Sequence, residues 1–222
     1  MKLPRTEFRK LKLIKLLALL RAGKIDPKKS NDVGYIMNTL ATVGVRQGLA
    51  YRIWVLSESE FIAEARLAAK RKSKFAAILL VFTAVEHITN HYVRVFGELR
   101  GLPEKAVDTM LFRCSHDDKI TWLSSLLGFD LPDQMAKKIA ELRSARNKIV
   151  HFPQLPMIAS DKDERPDSWS KLQDVVNGFR LSSFLSLPEN LRAHLERVYQ
   201  RLDPAYSPAM EMLQTLIDAK KA

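Results

Sequence analysis

Six consecutive residues, Arg146-Asn147-Lys148-Ile149-Val150-His151, combine a permanent cation, an amide and a titratable ring. On a helix they cover about a turn and a half. Arginine presents a planar fork matched to phosphate oxygens. Histidine titrates near neutrality and can take up and release protons. Asn147, one turn before His151, can orient the ring or hydrogen-bond a substrate oxygen. These are the parts needed for metal-free RNA cleavage: the histidine takes the 2′-hydroxyl proton, and the arginine stabilises charge at phosphorus. Such a site calls for no metal and no cofactor.

Two long helices must position these groups. One is predicted over about residues 74–99 and the other from Pro132 to His151, stopped by Pro153. At about 100° per residue, Ile139, Leu142, Met135 and Val150 surround Arg146, which places the cation inside an apolar stripe. Arg143, Asn147 and His151 follow one another at four-residue spacing along the flank of that stripe. On the earlier helix Phe75, Leu79, Phe82 and Val93 surround Glu86 in the same way, with Asn90 beside it. A charge in an apolar stripe is costly unless paired. The two helices are therefore expected to pack with Glu86 and Arg146 in contact, or bridged through Asn90. A buried ion pair that only fixes helix register is the competing explanation. His151, at a helix C-terminus that favours its protonated form, has no such structural reason to be there.

With these residues in view, Arg146-Asn-Lys-Ile-Val-His151 resembles the R-x4-H signature, in its R-N-x-x-x-H form, of the HEPN superfamily. The context is similar too: the motif ends a core helix that follows a long helix bearing Phe82-Thr-Ala-Val-Glu86-His-Ile-Thr-Asn90. The resemblance covers roughly residues 57–152. It implies an all-α, HEPN-like bundle with extra N- and C-terminal helices, dimerising so that two motifs face one another. It also implies metal-independent endoribonuclease activity of a toxin or host-defence kind, with an antitoxin or defence-system partner. Arg146 and His151 match the catalytic pair and Asn147 the polar position after the arginine; Glu86, Asn90 and Arg143 are the expected supporting residues. Phe152-Pro153-Gln154 stands where some relatives of this kind carry a tyrosine, so regulation at that tyrosine is not implied. The alternative is a non-catalytic HEPN-like module that binds RNA, a nucleotide or a protein.

Composition fits a polyanion partner. The 222 residues carry a formal charge of +11, which favours polyanions, nucleic acid first and an anionic membrane second. Residues 1–29 hold ten Lys and Arg against two acids, a surplus of eight. This stretch reads as an amphipathic helix between Pro4 and Gly23, its leucines packed inward and Lys10, Lys12, Lys15 and Arg21 offered to RNA. Lys12 and Lys15 interrupt its apolar run, so neither a secretory signal nor a membrane span is expected. The single cysteine, Cys114, excludes an internal disulfide and fits a reducing, cytoplasmic setting. The expected organisation is a basic extension over 1–56, a helical core over 57–152, and a loop with C-terminal helices over 153–222 packed on that core.

Other constellations are weaker. His87 and His91 lie four apart but lack a third ligand. His116-Asp117-Asp118 reads as a helix start, and His194 as solvent-facing. Trp54, Trp122 and Trp169 read most simply as core anchors; Trp169, beside a polar loop, is the one of the three placed to stack on a base.

Overall fold

The computed structural model describes residues 5–46, 58–150 and 174–219. Every regular element among them is helical, so the fold is all-α. The helices are α1 (Arg5–Arg21), α2 (Val33–Arg46), α3 (Glu58–Lys70), α4 (Lys74–Leu99), α5 (Glu104–Arg113), α6 (His116–Ile120), α7 (Trp122–Leu127) and α8 (Asp133–Val150). A helix α9 is described over residues 174–178, followed by α10 (Leu187–Leu202) and α11 (Tyr206–Asp218). Among the described residues no helix is long and apolar enough to cross a membrane. Trp54, His151 and Trp169 lie outside the described residues.

The chain divides into two compact units, Met1–Trp54 with Val198–Ala222, and Val55–Arg197. In the first unit α1 packs against α2 and α11. Leu16, Leu17 and Leu19 join Ile25, Ile36, Leu40, Met212, Leu213 and Leu216 in one apolar cluster. An amphipathic helix is held mainly by tertiary packing of its apolar face, and α11 supplies much of that packing. The last helix of the expected 153–222 segment thus belongs to the first unit. Two of the cations expected to face RNA are also used within this unit. The Lys15 ammonium donates to the Leu40 carbonyl. The Arg21 guanidinium binds the Asp203 carboxylate at 2.7 Å and donates to the Tyr199 hydroxyl. Lys12 is half-buried and also has a partner; the side chain of Lys10 lies outside those described.

In the second unit α4 is central and packs against α3, α5, α6, α7 and α8. Its long apolar arc explains this: Ile78, Val81, Val85, Ile88, Val93 and Phe96 are all buried. Burying each such side chain contributes about 1.5–3 kcal/mol. Gly97 allows α5 to approach closely, because a Cβ there would lie 2.9 Å from a Val107 methyl.

The segment before α8 departs from expectation. One helix starting at Asp117 or Asp118 was predicted up to Gly128. Instead α6 and α7 are separated at Thr121 (φ −105°, ψ −102°). Ser115 is the N-cap of α6: its hydroxyl accepts from the Asp118 amide while the Asp118 carboxylate accepts from the Ser115 amide, a reciprocal arrangement that satisfies two otherwise open donors. Trp122, just past the break, is 52% exposed and donates from Nε1 to Asp118 at 3.1 Å, so it is not a core anchor. His194 is half-buried with Nε2 2.9 Å from the Asp130 carbonyl oxygen, rather than free in solvent.

Candidate functional site

The predicted catalytic and supporting residues that are described fall on α4 and α8, which pack together as expected. The pairing across that contact differs from expectation. On α8 the buried side chains are Ile139, Leu142 and Ala145, centred near Leu142 and about 40° from Arg146. Val150 is 48% exposed. On α4 the buried arc centres near Val85, about 100° from Glu86. Both charges thus sit at the margin of their stripes and are half-buried. Among the described residues Glu86 and Arg146 form no ion pair. Ile139, Leu142, Phe82 and Val93 are buried as helical spacing indicated, but the arcs extend further to one side, and this moves the charges to the rim.

Arg146 instead lies over the ring of buried Phe82, its guanidinium carbon 5.4 Å from the centroid. Its Nη1 donates to Asn147 Oδ1 at 3.0 Å. A cation over an aromatic face is attracted by about 0.5–2 kcal/mol. The pair Phe82–Asn147 therefore fixes the plane of the fork. The remaining guanidinium N–H groups are the donors that a phosphate would take. Asn147 spends its carbonyl on Arg146, so its amide N–H₂ is what it can offer to a substrate.

A polar cluster that sequence reasoning missed completes this side of α4. Lys119, on α6, is only 4% exposed. Its Nζ donates to Asn90 Oδ1 and to the Leu111 carbonyl, each at 2.8 Å. Burial lowers the Lys119 pKa, and the nearby Glu86 carboxylate acts in the opposite direction. Lys119 is therefore the partner of Asn90, a role expected of Arg146, and the Glu86 charge favours its protonated form. Arg143 pairs with the Asp117 carboxylate. Nothing in the spacing marked Lys119, since α6 is too short to show a periodicity.

His116 lies against the same phenylalanine, its ring centroid 5.2 Å from that of Phe82. Both of its ring nitrogens, and Nε of Arg143, are buried without a hydrogen-bond partner. Burial, reinforced by the charges of Lys119 and Arg143, lowers the His116 pKa from 6.5 to about 4. The folded protein holds this ring neutral, whereas the unfolded chain protonates it near 6.5. Stability from this group is complete above pH 6.5 and is lost as pH falls toward 4. The loss is about 3 kcal/mol. His91, also lowered by burial against an opposing Glu58 charge, acts in the same direction. Urea unfolding at pH 7 and pH 4.5 measures the effect. The His116→Phe variant is expected to lose most of the difference; an unchanged difference would assign it to other groups.

The cluster therefore joins Glu86, Asn90, Lys119, His116, Arg143 and Arg146 around Phe82, with more positive than negative charge. That favours an anion. Among the described residues no group of three or more His, Cys, Asp or Glu side chains converges as a metal site requires. His87 is exposed and packs edge-on against Phe61 at 5.0 Å. No family model, curated protein or solved structure matches this chain.

Proposed function

We propose that the chain is a metal-independent endoribonuclease of HEPN type, a toxin or host-defence effector acting in the cytoplasm. The observation that carries this reading is the Arg146-Asn147-Lys-Ile-Val-His151 sequence at the end of α8. It is supported by Arg146 being held in place by Phe82 and Asn147, beside a cluster with surplus positive charge. In this mechanism His151 removes the 2′-hydroxyl proton, and the 2′-oxygen attacks phosphorus. The protonated His151 then gives that proton to the departing 5′-oxygen as the P–O5′ bond breaks, leaving a 2′,3′-cyclic phosphate and a 5′-hydroxyl. Arg146 stabilises the charge that develops on the phosphoryl oxygens, and the Asn147 amide steadies one of them. Glu86, Asn90 and Arg143 shape the cluster rather than react. The active form is a homodimer that brings two motifs together, controlled by an antitoxin or another defence component.

One observation favours a second reading, a non-catalytic RNA-, nucleotide- or protein-binding module. The contacts of Arg146 to Phe82 and Asn147 are internal, and they would serve stability alone equally well. Incubating RNA with the chain in excess EDTA separates the two. Cleavage is expected, and a strict need for added divalent ions would overturn the metal-independent mechanism.

A further inference from the structure

Lys70 ends α3, Arg71 and Lys72 form the turn that leads to α4, and all three are exposed. Among the described residues none of them is paired with an acid. Glu64 and Asp174, on neighbouring segments, are exposed and do not engage them. The surrounding cations are used differently: Arg66 binds Glu189 at 2.6 Å, and half-buried Lys74 donates to the Asn177 carbonyl at 3.1 Å.

The turn is also strained. Lys72 has φ +62°, and among the described residues it is the only non-glycine with positive φ. The strain arises from how α3 ends. The Lys72 amide donates to the Ala69 carbonyl at 3.0 Å and the Ser73 amide to the Ala68 carbonyl at 2.9 Å, the closing pattern that calls for a left-handed residue. At the matching ends of α1, α4 and α7 that residue is Gly23, Gly101 or Gly128. Glycine meets this backbone without steric cost, and lysine does not. Among the described residues the Lys72 side chain forms no hydrogen bond or ion pair that accounts for its presence.

Beside the turn lies a groove of about 660 Å³ whose polar wall includes Lys72, Ser73, Asn177 and Ser182 and whose apolar floor includes Phe75 and the buried Val176 and Leu181. Hydroxyls and amides of this kind contact phosphate and sugar, and an aromatic ring suits an unpaired base. Along α4 the rise from Lys74 to Glu86 is about 18 Å, within reach of a short single strand. A membrane surface would instead call for an apolar face beside the cations. Leu67 is the large exposed apolar side chain on this part of α3.

We propose that Lys70, Arg71 and Lys72, with the adjoining groove, bind the phosphodiester backbone of single-stranded RNA. The proposal rests on the reading of RNA as the substrate, and it moves the main phosphate contact away from the N-terminal helix.

The test uses an uncleavable probe, 2′-O-methyl poly(U), with affinity measured by anisotropy across salt concentrations. Binding is thus read apart from cleavage. Each phosphate contact to a single strand contributes about 0.7 to the slope of log K against log salt. The triple variant Lys70→Gln, Arg71→Gln, Lys72→Gly is expected to reduce the slope by about 2 and weaken binding at 0.1 M salt by about tenfold or more. Lys72→Gly alone is expected to raise Tm while still weakening binding, a combination that a purely structural role does not give. An unchanged slope in the triple variant, or a wild type that does not bind the probe, overturns the proposal. So does a fall in Tm for Lys72→Gly, or a loss confined to phosphatidylserine vesicles. If the wild type binds with the expected slope but never cleaves RNA, the ribonuclease reading fails and this surface stands.

Discussion

Replacing His151 with alanine is expected to lower the single-turnover rate of RNA cleavage by about 10²–10⁴, the usual contribution of a positioned acid–base group. Folding should be nearly unaffected. The imidazole is assigned the proton transfers and no part in a hydrophobic core. Added imidazole should restore part of the lost rate in His151→Ala, because a free base can enter the space left by the side chain. Arg146→Lys gives a complementary result. Lysine keeps the charge but loses the planar fork and the face-on contact with Phe82, so the rate should fall by about 10²–10³. Stopped-flow or quench kinetics with labelled RNA, with a thermal melt of each variant, checks both. A His151→Ala variant that cleaves at the wild-type rate removes the histidine from the mechanism.

Arg192→Ala is expected to cost about 1–3 kcal/mol of stability, because it removes the charged hydrogen-bond partner of the buried Glu58 carboxylate while Arg192 itself is partly exposed. Glu58 opens α3 and is 2% exposed. One carboxylate oxygen, Oε1, accepts from Arg192 Nη1 at 2.9 Å, while Oε2 is buried with no hydrogen-bond partner. Removing the guanidinium leaves a buried carboxylate facing a void. Glu58→Gln keeps the shape and removes the charge. In a background carrying Glu58→Gln, Arg192→Ala should therefore cost much less. A double-mutant cycle by urea denaturation reads the coupling directly. If the two losses simply add, the pair is not interacting and the account of α3 anchoring is wrong.

Long helices were legible because periodicity averages over many residues. The spacing gave α4 its observed bounds, and α8 was placed from Pro132 to within a residue of its observed end. The faces were less legible. A wheel shows which residues share a direction with a chosen charge, but not how wide the buried arc is. Because α4 is covered by five helices, its arc extends past Val85 and leaves Glu86 at the rim. That displacement turned an expected Glu86–Arg146 pair into Arg146 over Phe82 and Glu86 beside Lys119. Lys119 itself was illegible, because its partners Asn90 and Leu111 lie on other helices and a five-residue element carries no pattern. The same limit applies to charge. Counting cations put the RNA-facing surface on α1, yet Lys15 and Arg21 are consumed by the Leu40 carbonyl and by Asp203 with Tyr199. A sequence gives the number of charges, and only tertiary contacts decide which remain for a partner.

The central claim is that the Arg146–His151 motif cleaves RNA through its 2′-hydroxyl without a metal. The most direct measurement is to incubate RNA, and DNA of the same sequence, with the wild-type chain in excess EDTA and to identify the product ends. The account predicts RNA fragments ending in 2′,3′-cyclic phosphate and beginning with 5′-hydroxyl, at a rate that magnesium does not raise, with the DNA intact. Intact RNA, or cleavage that appears only with added divalent ions or extends to the DNA, would contradict it.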